Sequence, residues 1–212
     1  MAGSARRSAP PLAVFCSGAG TNLQAILDAA RRGRLRARVA LVVSDRPGAK
    51  ALVRARRAGA QAAYVDPRAY PTRGRYERAL ITLCRTHRVR LVCLAGFMRI
   101  LSPVFVHHFR GRILNIHPAL LPAFPGAYAI RDALAWGAKV TGVTVHLVDE
   151  QVDHGPIIAQ EAVVIRPGES EAGLLKRVHR VEHRLYPRAI GWVLGGQTRV
   201  AGRAITVRPR RK

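Results

Sequence analysis

The chain is short of acid. Only 12 of its 212 residues are Asp or Glu, against 36 Lys and Arg, which leaves a formal net charge of +24. Lysine is scarce too, standing only at positions 50, 139, 176 and 212, so arginine carries the charge. Such a balance draws anions, phosphates and nucleic acid among them. Yet the arginines are dispersed along the expected helices and loops, and only Arg208 to Lys212 form a run. Aromatic residues make up 6% of the chain and do not interleave with the arginines as base-stacking platforms would, so no specific nucleic-acid partner is expected. No apolar run reaches membrane-spanning length, and no membrane partner is expected. Near the start, Val14-Phe15-Cys16 runs straight into glycines, which excludes a secretory signal there. Cys16, Cys84 and Cys93 lie inside apolar runs; an odd count without Cys-x-x-Cys spacing argues against a disulfide framework or a zinc cluster. Buried thiols in a reducing cytoplasm are the expectation. There is no internal repeat and no linker.

What is present is enough for a core. At 49% hydrophobic residues, the chain reads as a short disordered tail over residues 1–11, one domain over 12–207 and a basic tail over 208–212. Leu12 to Cys16 is a first strand, followed by Ser17-Gly18-Ala19-Gly20-Thr21-Asn22 and then Leu23, Ile26, Leu27 and Ala30 at helical spacing. A strand, a Gly-rich turn and a helix start form a geometry that receives phosphate on backbone N–H groups. A dinucleotide fingerprint would want a third glycine where Leu23 stands, so a phosphate monoester suits the loop better, although Asp45 lies at a later strand end, the place of a ribose-binding acid. Val39 to Ser44, Ala62 to Val65 and Leu91 to Leu94 are further strands, alternating with helices at 49–58 and around Tyr76 to His87. That alternation predicts an α/β fold, an open, mainly parallel, Rossmann-like sheet with flanking helices. After a helix at 128–136 the period changes to two, Val143, Val145 and Leu147 against Thr144, His146 and Val148. This strand and Ile157 to Ile165 should pair antiparallel and extend the sheet. A long helix over 170–194 and a hairpin within 200–207 close the domain.

Ligands in such sheets collect beyond the carboxyl ends of the strands. Ser17 to Asn22, Phe97 to Leu101 and Asn115 to Pro122 all follow strands and should meet at one edge. Asn115 and His117 are two apart, so on an extended chain they face the same side, and Pro118 favours that geometry. Downstream, Asp149-Glu150-Gln151-Val152-Asp153-His154-Gly155-Pro156 supplies carboxylates and another imidazole. An amide, an imidazole and a carboxylate can stabilise an oxyanion while moving a proton. His117, His146, Asp153 and His154 could in principle ligate zinc, but they lack a fixed ligand spacing, and no metal is expected.

Four motifs together resemble the glycinamide ribonucleotide formyltransferases: Ser17 to Gln24, Leu94 to Leu101, Asn115 to Pro122, and Val145 to Asp149 continuing through Asp153 to Ile157. The resemblance runs from Leu12 to Gly196. It implies transfer of a formyl group from 10-formyltetrahydrofolate, a co-substrate, to the amine of 5-phosphoribosylglycinamide in purine synthesis. By matching positions, Asn115, His117 and Asp153 would be catalytic, with Asp153 keeping His117 charged. Gly18, Ala19, Gly20, Thr21 and Asn22 would hold the substrate phosphate, with Glu182 near the ribose. Met98, Arg99, Ile100 and Leu101 would hold the pterin by their backbone, with His146 and Asp149 beside them. Residues 12–110 would form the phosphate-binding half and 111–207 the catalytic, folate-binding half. The chain departs from the common pattern at Ala19 (often Asn), Thr21 (often Ser), Ala119 (often Ser), Tyr128 (sometimes His), His154 (often Thr) and His179 (sometimes Gln). Methionyl-tRNA formyltransferases and formyltetrahydrofolate deformylases resemble it too, but carry extra C-terminal and N-terminal domains respectively; no room for either is expected here. The implied partners are small molecules, and the chain would act as a monomer or homodimer.

Overall fold

A computed structural model describes residues 9–208. Most of the segment expected as an N-terminal tail, residues 1–8, and most of the basic tail, 209–212, lie outside the described residues. The first strand, β1 (Pro11–Phe15), opens at a proline, and the Arg38 N–H donates to the carbonyl of Pro10 just before it.

β1 is buried on both faces because it is apolar at every position. Ala13 and Phe15 point into one core, while Leu12 and Val14 point into the other. Its neighbours β2 (Arg38–Ser44) and β4 (Leu91–Leu94) are covered in the same way, and β3 (Gln61–Tyr64) pairs with β2. β5 (Ile113–His117) runs parallel to β4. The direction then reverses: β6 (Val140–Leu147) is antiparallel to β5, and β7 (Ile157–Val164) is antiparallel to β6. A hairpin of β8 (Thr198–Ala201) and β9 (Ala204–Val207) completes the sheet through β9 beside β7. The order is β3-β2-β1-β4-β5-β6-β7-β9-β8, nine strands in one sheet.

Helices cover both faces, as the alternating pattern requires. α1 (Thr21–Arg31), α2 (Lys50–Arg57), α5 (Ala129–Ala135) and α6 (Glu171–Leu194) pack on one core. α3 (Arg73–Thr86) and α4 (Pro103–His108) pack on the other. The chain leaves β1 toward β2 and β3 on one side, then returns to place β4 on the other. That reversal opens a crevice at the carboxyl ends of β1 and β4. Cys16, Cys84 and Cys93 are buried, and burial pushes the Cys16 and Cys84 thiols up to about 12. No described helix is long and apolar enough to cross a membrane.

α6 is fixed to the crevice by Tyr186, whose side chain is fully buried. Its hydroxyl lies 2.8 Å from the Leu94 carbonyl and 3.1 Å from the Leu114 carbonyl, so it ties the helix to the end of β4 and to β5 beside it. Tyr186→Phe keeps the ring and removes only this link. It should lower unfolding free energy by about 1–2 kcal/mol in urea titration, the cost of an unmade buried hydrogen bond.

Candidate active site

The three loops expected to meet at the sheet edge do so around a cavity of about 620 Å³. Its lining includes Gly18 to Asn22, Met98 to Leu101, Asn115, His117, His146, Asp149, Asp153 and Glu182, which is every residue that the resemblance gave a catalytic, phosphate, ribose or pterin role. Their convergence has a local cause. Ser17 donates from Oγ to Asp45 Oδ1 at 2.6 Å, and the Met98 N–H donates to the same Oγ at 2.9 Å. Asp45 therefore braces two loops, with Arg99 3.7 Å from its other oxygen, and it stands outside the cavity lining.

At one end of the cavity α1 begins without a side-chain cap and without an acidic residue in its first turn. Its N-terminal N–H groups are therefore open to an anion. Arg54 of α2 stands beside this loop, donating to the Ala19 carbonyl at 2.9 Å and to Gln24 at 3.0 Å. Nothing in the sequence pointed to Arg54. Asn22 donates to buried Glu182 at 2.9 Å, while its Oδ1 is buried without a partner among the described residues. Burial pushes the Glu182 carboxyl up. Gly20 is required for a reason other than phosphate approach: its φ is +69°, and a Cβ there would come within 2.8 Å of Ala51. Gly18 has open space where a Cβ would project.

At the centre sits Asp153, in the left-handed region at φ +50°. Its Oδ2 accepts from the Gly126 N–H at 2.8 Å and lies 3.3 Å from His117 Nδ1. Its Oδ1 accepts from Asn115 Nδ2 at 3.1 Å and lies 3.6 Å from His146 Nε2. His117 Nε2 faces the Phe124 carbonyl at 2.8 Å, an acceptor only, so that nitrogen carries hydrogen. By the same logic His146 Nδ1–H donates to the Leu147 carbonyl at 2.8 Å, and its Nε2 accepts from Asn115 at 3.2 Å. His146, on the polar side of β6 as its period implied, is thus buried against the catalytic candidates.

Burial lowers the His117 pKa and outweighs the Asp153 charge, which acts the other way. Asp153 is pushed up by burial, but the His146, Gly126 and His117 contacts together hold it below the usual carboxylate range. The expectation that Asp153 keeps His117 charged is therefore corrected: at neutral pH the free site holds an ionised Asp153 and a neutral His117. Both Asn115 amide hydrogens are engaged as well, on Asp153 and His146.

Opposite the anion loop, Met98 and Ile100 are 64% exposed and Val152 50%, an apolar rim beside backbone groups. α3 holds this rim: Glu77 accepts from the Ser102 N–H at 2.7 Å and from the Ser102 hydroxyl, and Arg73 donates to Glu77 and to the Ile100 carbonyl. His154, next to Asp153, turns away from the carboxylate. Its Nδ1 lies 2.8 Å from Asp149 Oδ2, and Arg203 of the terminal hairpin donates to its carbonyl at 2.6 Å. Among the described residues no group of three or more His, Cys, Asp or Glu is arranged to hold a metal ion. Sequence reasoning missed Gly126, Phe124, Arg54 and Arg203. Pro122-Ala123-Phe124-Pro125-Gly126 did signal a turn after the motif, but backbone donors and acceptors leave no mark in side-chain identity.

The sequence matches the family described as formyl transferase over residues 11–190. The chain belongs to the formyl transferase family. It is 42% identical over 189 residues to the phosphoribosylglycinamide formyltransferase of Escherichia coli (strain K12), with 89% of each chain covered. To the protein of the same name in Bacillus subtilis (strain 168) it is 42% identical, over 86% of this chain and 94% of that one. The trifunctional purine biosynthetic protein adenosine-3 of Drosophila melanogaster is 45% identical over 87% of this chain, which spans only 14% of that longer relative. The crystal structure of glycinamide ribonucleotide transformylase 1 from Symbiobacterium toebii superposes with a TM-score of 0.94 at 48% identity, covering 96% of both chains.

Two predictions follow from the geometry. A proton NMR titration should place the His117 midpoint below 6.5, and Asp153→Asn should move it lower still, because the substitution removes the charge that raises it. A wild-type midpoint above 6.5 would mean that the carboxylate outweighs burial. At the loop, Gly18→Ala should raise KM for a phosphate-bearing substrate with little loss of stability. Gly20→Ala should lower Tm as well, through strain and the Ala51 contact.

Proposed function

We propose that this enzyme transfers the formyl group of 10-formyltetrahydrofolate to the amine of 5-phosphoribosylglycinamide. The observation that carries the reading is the single cavity with an anion-accepting helix start at one end, an apolar rim at the other, and Asn115, His117 and Asp153 between them. The spacing suits a phosphate at Gly18 to Asn22, a ribose near Asn22 and Glu182, and a flat pterin against Met98 to Leu101. The unpartnered Asn22 Oδ1 supports the ribose position, since a sugar hydroxyl could donate to it.

The folate supplies the formyl carbon and the ribonucleotide the nucleophilic amine; every other part of the chemistry falls to this chain. Asn115 offers an amide N–H where negative charge grows on the formyl oxygen, exchanging one of its present bonds to do so. The proton lost by the amine goes to the His117/Asp153 pair. With hydrogen on Nε2 only, His117 turns its Nδ1 lone pair toward Asp153 Oδ2 at 3.3 Å, so the pair is one proton short of an ion pair. Taking up a proton turns that opposition into attraction. The Gly126 N–H holds Asp153 in place throughout. Direct amine attack needs no covalent enzyme intermediate.

The test is an acceptor panel. With 10-formyltetrahydrofolate, tetrahydrofolate release should require phosphoribosylglycinamide. Release with water alone would make the protein a deformylase, and release dependent on charged initiator tRNA would make it a methionyl-tRNA formyltransferase. Within the expected activity, Asp153→Asn should lower kcat by about 10²–10⁴-fold with modest changes in both KM values. His154 is engaged with Asp149 and Arg203, so it should not substitute for the lost base.

A further inference from the structure

At the opposite edge of the sheet, where β1, β2 and β4 begin, lies a second and larger cavity of about 1000 Å³. Its lining contains Arg34, Arg36, Arg38, Arg88, Arg90 and Arg188 and, among the described residues, no carboxylate. All six arginines are exposed. They come from distant parts of the chain and are brought together by the sheet. Pro11 pairs with Arg38, and the Arg90 N–H donates to the Pro11 carbonyl at 2.8 Å, so Arg38 and Arg90 flank the start of β1 from either side. Among the described residues, Arg34, Arg38, Arg88, Arg90 and Arg188 form no ion pair; Arg188 instead lies over the Trp192 ring, 5.4 Å from its centroid.

One reason for arginine at this edge is the partial negative charge of helix ends. α1, α3 and α6 all finish here. Each helix terminus carries roughly half an elementary charge, so three amount to about −1.5. The five arginines without an ion pair already exceed that severalfold, and no acid among the described lining residues relieves their mutual repulsion.

We propose that this cavity is a binding site for an oligophosphate chain, inorganic or nucleoside-borne, separate from the formyl-transfer site. Guanidinium forks bind phosphate oxygens in pairs, and a concave wall lets several reach one short polyanion. The shape favours a small ligand over nucleic acid. The volume is at the top of the small-molecule range, about 300–1,000 Å³. A strand of bases needs successive stacking faces, whereas the one aromatic lining residue, Trp192, already has a guanidinium on it.

The test uses Trp192 as a local reporter in a Trp136→Phe background, which removes the chain's other tryptophan. The full chain is titrated at 0.15 M salt, where screening lengths are about 8 Å. The probes are inorganic tripolyphosphate, ATP, orthophosphate and a ribo-oligonucleotide. Saturable binding of tripolyphosphate is expected, tighter than orthophosphate. Arg38→Ala with Arg90→Ala should weaken it by about tenfold or more, with kcat for formyl transfer unchanged. The charge-matched control, Arg75→Ala with Arg78→Ala on α3, should leave it within about twofold. The conservative pair Arg38→Lys with Arg90→Lys should fall between, keeping charge but losing the fork. ATP equal to tripolyphosphate would assign recognition to the phosphates alone; tighter ATP would add a contact from the nucleoside. No saturable response, or equal weakening by both alanine pairs, would reduce the cavity to unspecific charge and overturn the proposal. So would an oligonucleotide that binds tighter than tripolyphosphate through the same two arginines.

Discussion

A buried carboxylate must be satisfied from every side, and Asp153 is the carboxylate on which this site depends. Taking an ion out of water costs several kcal/mol unless hydrogen bonds replace its hydration. Two donors do so here, the Gly126 N–H and Asn115 Nδ2, with the His117 and His146 rings closing around the carboxylate. These groups come from β5, β6 and the loop after β5, so the demand of one charge fixes the relative positions of those segments. Local strain serves the same end. Asp153 holds a left-handed conformation that Asp tolerates better than most residues, and Gly155 passes so close to the Leu147 carbonyl that a Cβ would overlap it. The loop can present its carboxylate inward because that passage is open only to glycine.

The supporting contacts repeat this logic with weaker groups. Ser17 and Asp45 hold the anion loop to the Met98 loop, Glu77 holds Ser102, and Tyr186 holds α6 to β4 and β5. None of these residues faces reacting atoms. They act on the positions of backbone groups, which a cavity built from loops must keep fixed if donors are to be aimed before the ligand arrives.

Much of this was legible in the sequence, for identifiable reasons. Buried parallel strands are apolar without interruption, so β1, β2 and β4 stood out. The two-residue period of β6 announced both its reversal and the side on which His146 lies. Asn115 and His117 could be paired because a strand places alternate residues on one face. Other features were hidden. α4 is only six residues long, too short for a helical period to register. The protonation of His117 could not be read, because proximity to a carboxylate and burial push it in opposite directions and only the fold sets their balance. The arginine cavity was invisible for a related reason. Arginines at 34–38, 88–90 and 188 look dispersed along the chain, but parallel strands that all start at one edge bring their preceding residues together.

The distribution of acids explains how one chain can be so basic and still build a site that needs carboxylates. Of its 12 acidic residues, Asp45, Glu77, Asp149, Glu150, Asp153 and Glu182 stand in or directly behind the carboxyl-edge cavity. The opposite cavity has none among its described lining residues. Half of the acid is therefore gathered at the candidate site, and the described lining of the opposite cavity is left to arginine. At the candidate active site these carboxylates offset part of the positive field that surrounds the molecule. An anionic substrate drawn in by that field must then be selected at short range, by the uncapped start of α1 and by Arg54, rather than by charge alone. At the far edge the described lining residues supply no such offset, and attraction there depends on how many phosphate oxygens the guanidinium groups can reach.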